Sequence, residues 1–118
     1  MMSHDNICPV DTTLSILFKK WKPVILFHLH NQGTVRFSEF QRLIRLSTKR
    51  TITKKMLTQQ LRELEEDGLI YRIIYPEVPP KVEYLLTDYG KTTKTMIEEI
   101  VKWGNDHLDK TIRSNGTS

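Results

Sequence analysis

A single cysteine, Cys8, is all the chain has, so no internal disulfide can form and no Cys-rich metal site can be assembled. Long apolar runs are missing too: stretches such as Val24-Ile25-Leu26-Phe27 fall far short of the roughly 20 residues a bilayer span needs. No signal-type segment with a cleavage site opens the sequence. Both absences point to a cytoplasmic protein with no membrane partner. The residue patterns of catalysis are lacking as well, with no nucleophile elbow, no glycine-rich phosphate loop and no paired acid beside a matching base. His4, His28, His30 and His107 show no metal-ligand spacing, because His28 and His30 are two apart and point in different directions on a helix. The expectation is a protein that is not an enzyme and uses no metal or other cofactor.

What is present is 118 residues, 38% hydrophobic and 27% charged, enough for one small domain and too few for two cores. A first helix carries Leu14, Leu17 and Phe18 at three- and four-residue spacing, with a cap expected at Asp11-Thr12-Thr13. Pro23 suits the first turn of a second helix that Gly33 ends, and its apolar residues Val24, Ile25, Phe27 and Leu29 are candidates for the centre of the core. Thr34-Val35-Arg36 reads as a short extended piece. Ser38 and Gln41 have the form of a capping box that opens a third helix with Phe40, Leu43 and Ile44 on one side. A polar, β-branched stretch from Ser47 leads to Thr53, which caps a fourth helix running through Leu57, Leu61 and Leu64 to Gly68. Two strand-like runs follow, Leu69 to Tyr75 and Val82 to Leu86, joined by Pro76-Glu77-Val78-Pro79-Pro80, a tip whose prolines cannot serve in a ladder. Thr87 then caps one long last helix reaching about Asp109.

This order predicts a mainly α fold with a small β-hairpin wing, a winged helix-turn-helix with extra helices at both ends. Residues 1–112 form the domain and 113–118 a flexible tail. In such a fold the helix before the wing enters the major groove, and here that helix sits in the most biased part of the sequence. Between Gln41 and Arg62 lie seven of the 18 basic residues and none of the 14 acids. On a helical wheel Leu61 and Leu64 stay within about 40° of Leu57, while Lys55, Thr58, Gln59 and Arg62 occupy the other side. Those side chains can address guanine, adenine and the thymine methyl group. An ordinary solvated helix face is the plainer reading of a charge run, but such a face has no need to exclude acids. Arg50, Thr53, Lys54, Lys55, Thr58, Gln59 and Arg62 are therefore the candidate contacts to double-stranded operator DNA, with Lys54 and Arg50 on phosphates. Lys81 at the wing is either a further contact or plain solvated charge.

Several motifs sharpen the reading: Cys8-Pro9-Val10, the Lys20-Trp21 pair, Arg36-Phe37-Ser38-Glu39, the run from Met56 to Glu65, and Tyr75-Pro76-Glu77-Val78-Pro79-Pro80-Lys81-Val82-Glu83-Tyr84. Together they resemble the HxlR family of winged-helix transcription regulators, over about Cys8 to Gly104. The resemblance implies a homodimer on operator DNA, paired through its N- and C-terminal helices. Some members of that family use an N-terminal cysteine to sense oxidants or electrophiles, which implies the same role for Cys8; taken alone, Cys8 reads as a small buried hydrophobe. Two departures stand out, a long basic turn from Arg45 to Thr51 where the family has a compact Pro-Gly turn, and Phe18-Lys19 where it often has glycines.

The last helix supports pairing independently, since its apolar residues spread over an arc of about 160°, wider than one core contact requires. Leu14, Leu17, Phe18, Ile97, Ile100, Val101, Trp103 and Leu108 are the candidate dimer interface. The first helix could instead cover that surface within one chain. A different function would follow if the long last helix docked another protein, but a protein-docking module gives no reason for the acid-free helix-turn-helix. The genes regulated and any small-molecule effector are not encoded in these patterns.

Overall fold

A computed structural model describes residues 8–17 and 21–116, with 112–116 by their backbone alone. The helices are α1 (Pro9–Leu17), α2 (Lys22–Gln32), α3 (Phe37–Thr48), α4 (Lys54–Glu66), α5 (Asp88–Lys91) and α6 (Lys94–Gly116), and the strands are β1 (Thr34–Arg36), β2 (Ile70–Tyr75) and β3 (Lys81–Leu86). The strands form one antiparallel sheet in the order β1-β3-β2. Val35 lies opposite Tyr84 on one side of β3, and Arg72 lies opposite Tyr84 on the other. The extended piece after Gly33 thus joins the hairpin and ties the wing to the helices.

α2 is the hub. Ile25, Leu26 and Leu29 are fully buried, facing Phe40 and Ile44 of α3 and Leu57, Leu61 and Leu64 of α4. Complete burial of each such side chain contributes roughly 1.5 to 3 kcal/mol. Phe40 meets Tyr84 of the sheet edge to face, with ring centroids 5.9 Å apart. Gly33 ends α2 at φ 81°, a left-handed conformation that a glycine adopts without strain, and its N–H donates to Leu29 O at 2.9 Å.

Four boundaries differ from the sequence reading. α1 starts at Pro9, with Cys8 O accepting the Thr12 N–H at 3.0 Å, so Asp11 sits inside the first turn, where a carboxylate complements the helix N-terminus. α3 starts at Phe37 and its entry is held by Glu39, whose carboxylate accepts the Arg36 N–H at 3.0 Å. Ser38 and Gln41 do not form the expected box. The Gln41 amide donates instead to Ile52 O at 3.0 Å, pinning the segment that leads into α4. α3 also runs on to Thr48, which leaves a turn shorter than Arg45 to Thr51: Lys49 takes φ 62°, and Thr48 Oγ1 accepts the Arg50 N–H at 3.1 Å.

The fourth correction concerns the last helix, which is two helices and runs beyond the expected end near Asp109 to Gly116, taking in part of the stretch expected as a tail. Thr87 caps only the short α5, accepting the Gly90 N–H at 2.8 Å. The Thr92 and Thr93 hydroxyls donate back to Tyr89 O and Gly90 O, and the chain turns before α6 begins. Tyr89 on α5 and Ile97 on α6 therefore belong to different helices, so the apolar arc of the last helix does not extend back over Tyr89. Phe18 and Lys20 lie outside the described residues.

Candidate nucleic-acid interface

Helix α4 is set up by local chemistry. Thr53 has extended backbone angles and its hydroxyl accepts the Met56 N–H at 3.1 Å, satisfying one of the free donors at the helix start. From that cap the 3.6-residue period turns Leu57, Leu61 and Leu64 inward and leaves Lys54, Lys55, Thr58, Gln59 and Arg62 exposed. Six of the eight expected contact residues (Thr53 and these five) thus share one helix and its cap. Arg50 comes up beside them from the preceding turn, its guanidinium 4.5 Å from the centroid of the Trp21 ring. A cation stacked on an indole keeps its planar edge free for a phosphate.

Lys81 is different. It lies half-buried at the foot of the wing, 3.5 Å from Glu83 and 4.7 Å from the centroid of the Tyr75 ring. Tyr75 donates its hydroxyl to the same glutamate at 2.7 Å. That bond raises the Tyr75 pKa and lowers that of Glu83, so the wing base holds a fixed anion between a cation and a phenol. Beyond it the tip is fully open, Val78 being 100% exposed.

Pattern reading missed the residues that hold α4 from behind. Lys22 is buried at 3% exposure and its ammonium lies 2.7 Å from Glu63 Oε1. The other oxygen of that carboxylate accepts from Gln59 Nε2 at 3.1 Å. Trp21 and Lys22, adjacent at the head of α2, therefore touch both the entry to α4 and its middle. Nothing in the sequence flags a lysine that pairs 41 positions away. Arg72 on β2, 3.5 Å from Glu65, is a further cation near α4 that the charge count passed over.

The remaining candidates are scattered. Cys8 is exposed at the start of α1, which removes the buried-hydrophobe reading. Ile97 is in the core of its own chain and Val101 and Leu17 are half-buried against it, whereas Leu14, Ile100, Trp103 and Leu108 are exposed. Among the described residues no cluster of His, Cys, Asp and Glu could hold a metal ion. Among the described residues no helix is long and apolar enough to cross a membrane.

A three-helix core, a tight turn into a helix with a basic outer face, and a hairpin beside it define a winged helix-turn-helix protein. The chain belongs to the HxlR-like helix-turn-helix family, whose model matches residues 16–112, and it is a transcription regulator. It is 48% identical over 103 residues to the HTH-type transcriptional regulator YdeP of Bacillus subtilis (strain 168), covering 87% of this chain and 76% of YdeP. Among solved structures it is similar to the redox regulator HypR in its reduced form, with a TM-score of 0.77 and 43% identity over 88% of this chain and 97% of HypR. The reduced form of the regulator YodB from B. subtilis gives a TM-score of 0.67 and 33% identity over 84% of this chain and 92% of YodB.

Proposed function

We propose that this regulator is a cytoplasmic homodimer that binds operator DNA sequence-specifically, with α4 in the major groove and the wing alongside, and that Cys8 makes it responsive to oxidants. One observation carries the DNA reading: the outer face of α4 and its cap presents Thr53, Lys54, Lys55, Thr58, Gln59 and Arg62 together, with no acid from Gln41 to Arg62. Lys54 and Arg50 neutralise phosphates, while Gln59 and Arg62 face base edges. Supporting the thiol role are the exposure of Cys8 and the likeness to HypR and YodB, the first of them described as a redox regulator.

The test is a series of gel-shift titrations at rising salt. Neutralised phosphates release counterions, so the logarithm of affinity falls linearly with that of salt, by about 0.9 per phosphate contacted. Lys54→Ala is expected to make that slope shallower by about one such contact and to weaken all duplexes alike. A flat salt dependence, or no binding at low salt to any fragment from upstream of its own gene, sinks the reading.

A further inference from the structure

Lys22 runs against two local preferences and would break a third if it were unpaired. Lysine is rarely buried, a cation is disfavoured in the first turn of a helix, and a lone ammonium out of water costs several kcal/mol. Its ion pair with Glu63 offsets that cost, yet well-packed apolar side chains in place of such pairs are often neutral or stabilising. Fold stability is therefore a weak reason for the arrangement, and geometry supplies a stronger one. An exposed glutamate on a helix samples several rotamers, and fixing it costs side-chain entropy. Glu63 is fixed from below: Oε1 takes the buried ammonium at 2.7 Å, leaving Oε2 at a defined point one turn from Gln59, whose Nε2 donates to it at 3.1 Å.

We propose that Lys22 is a positioning residue for base reading, acting through Glu63 to set the side-chain amide of Gln59 for adenine. The proposal rests on α4 lying in the major groove. A glutamine reads adenine by placing one N–H on N7 while its carbonyl accepts from the N6 amino group. The amide has two N–H groups. With one committed to Glu63, the other and the carbonyl are left for the base. An unanchored amide turns over freely and can offer both N–H groups to the two acceptors of guanine, so discrimination falls. Lys22 is a positioning residue only; it touches no DNA.

Binding sites are first enriched from random duplexes with the full-length protein, and every single-base variant of the enriched site is then measured for the wild type, Gln59→Ala, Lys22→Met and Lys22→Arg. Gln59→Ala is expected to relax preference at one base pair by at least about fivefold. Lys22→Met relaxes it at that same base pair with the salt slope unchanged, Lys22→Met combined with Gln59→Ala is no worse than Gln59→Ala alone, and Lys22→Arg keeps the preference. Should Lys22→Met fail to fold, Lys22→Met combined with Glu63→Leu removes both charges and is expected to show the same loss. Full discrimination at the Gln59 position in these Lys22 variants overturns the proposal while leaving the DNA reading intact, as does a loss spread evenly over all positions. A wild type that enriches no sequence, or a Gln59→Ala profile unchanged at every position, overturns both.

Discussion

At the scale of single residues, the least forgiving position is Gly90 on α5. A Cβ there would land on the backbone carbonyl of Leu69, and neither partner is a flexible side-chain end that could give way. The close approach lets α5 sit against the start of β2, where the Thr87 N–H donates to Leu69 O at 3.0 Å. Gly90→Ala is expected to destabilise the domain by about 3 kcal/mol, the upper part of the overpacking range. Urea unfolding reads this as a lower midpoint at constant slope; a midpoint within error of the wild type would show that the approach is not tight. The glycine was invisible in the sequence because it follows Asp88-Tyr89 like any helical residue, and only the fold brings Leu69 above it. Lys22 escaped for the same reason. By contrast Thr53, Leu57, Leu61 and Leu64 were legible, since a cap and a 3.6-residue period are local signals.

Between elements, α2 is fastened by its two histidines. His28 Nε2 lies 3.0 Å from Ser47 Oγ at the end of α3, and His30 Nε2 lies 2.8 Å from Thr93 Oγ1 at the start of α6. Each hydroxyl spends its own proton on a backbone carbonyl, Ile44 O or Gly90 O, so the ring nitrogens donate. Burial lowers the pKa of both rings below the ordinary 6.5, and for His30 the Lys94 ammonium adds to the shift while Glu98 opposes it. The unfolded chain therefore binds more protons than the fold in this range. This stabilisation is complete above pH 6.5 and is lost as pH falls through the lowered folded values. Unfolding free energies at pH 7.5 and 5.0 should show the wild type weakening, and His28→Gln with His30→Gln, which keeps the donors without the titration, weakening less. Equal losses in both proteins would remove the histidines from the account. The hydroxyls that His28 and His30 meet come from elements 19 and 63 residues away, out of reach of any spacing argument. The break between α5 and α6 was hidden too, because Thr87 and the apolar period on either side of Thr92-Thr93 mimic one continuous helix.

For the whole molecule, the chain is more extended than its length requires. Its radius of gyration is 16.8 Å, against about 13.5 Å for a compact domain of this size. α6, with 23 residues, is about 34 Å long and packs chiefly on α2, while α1 has no buried residue. Cover of α6 by α1 within one chain is thus incomplete: Leu14, Ile100 and Leu108 remain open and Trp103 is 68% exposed. A nine-residue helix is not stable alone in water. In the proposed dimer a second copy would supply what α1 and the outer half of α6 lack, and two-fold pairing would set two α4 helices to meet half-sites about 34 Å apart. Sedimentation equilibrium at micromolar concentration is expected to give twice 13.9 kDa under reducing conditions, and Trp103→Glu to lower it. Because each chain has one thiol, diamide can link chains only by a disulfide between two Cys8 residues, which a non-reducing gel displays and Cys8→Ser abolishes. If α1 helices pair across the dimer, that link forms faster in the wild type than in Trp103→Glu at equal concentration, since pairing raises the local concentration of the second thiol. A single-chain mass unchanged by operator DNA would rule the dimer out, and a link that forms equally fast in both proteins would separate Cys8 from the interface.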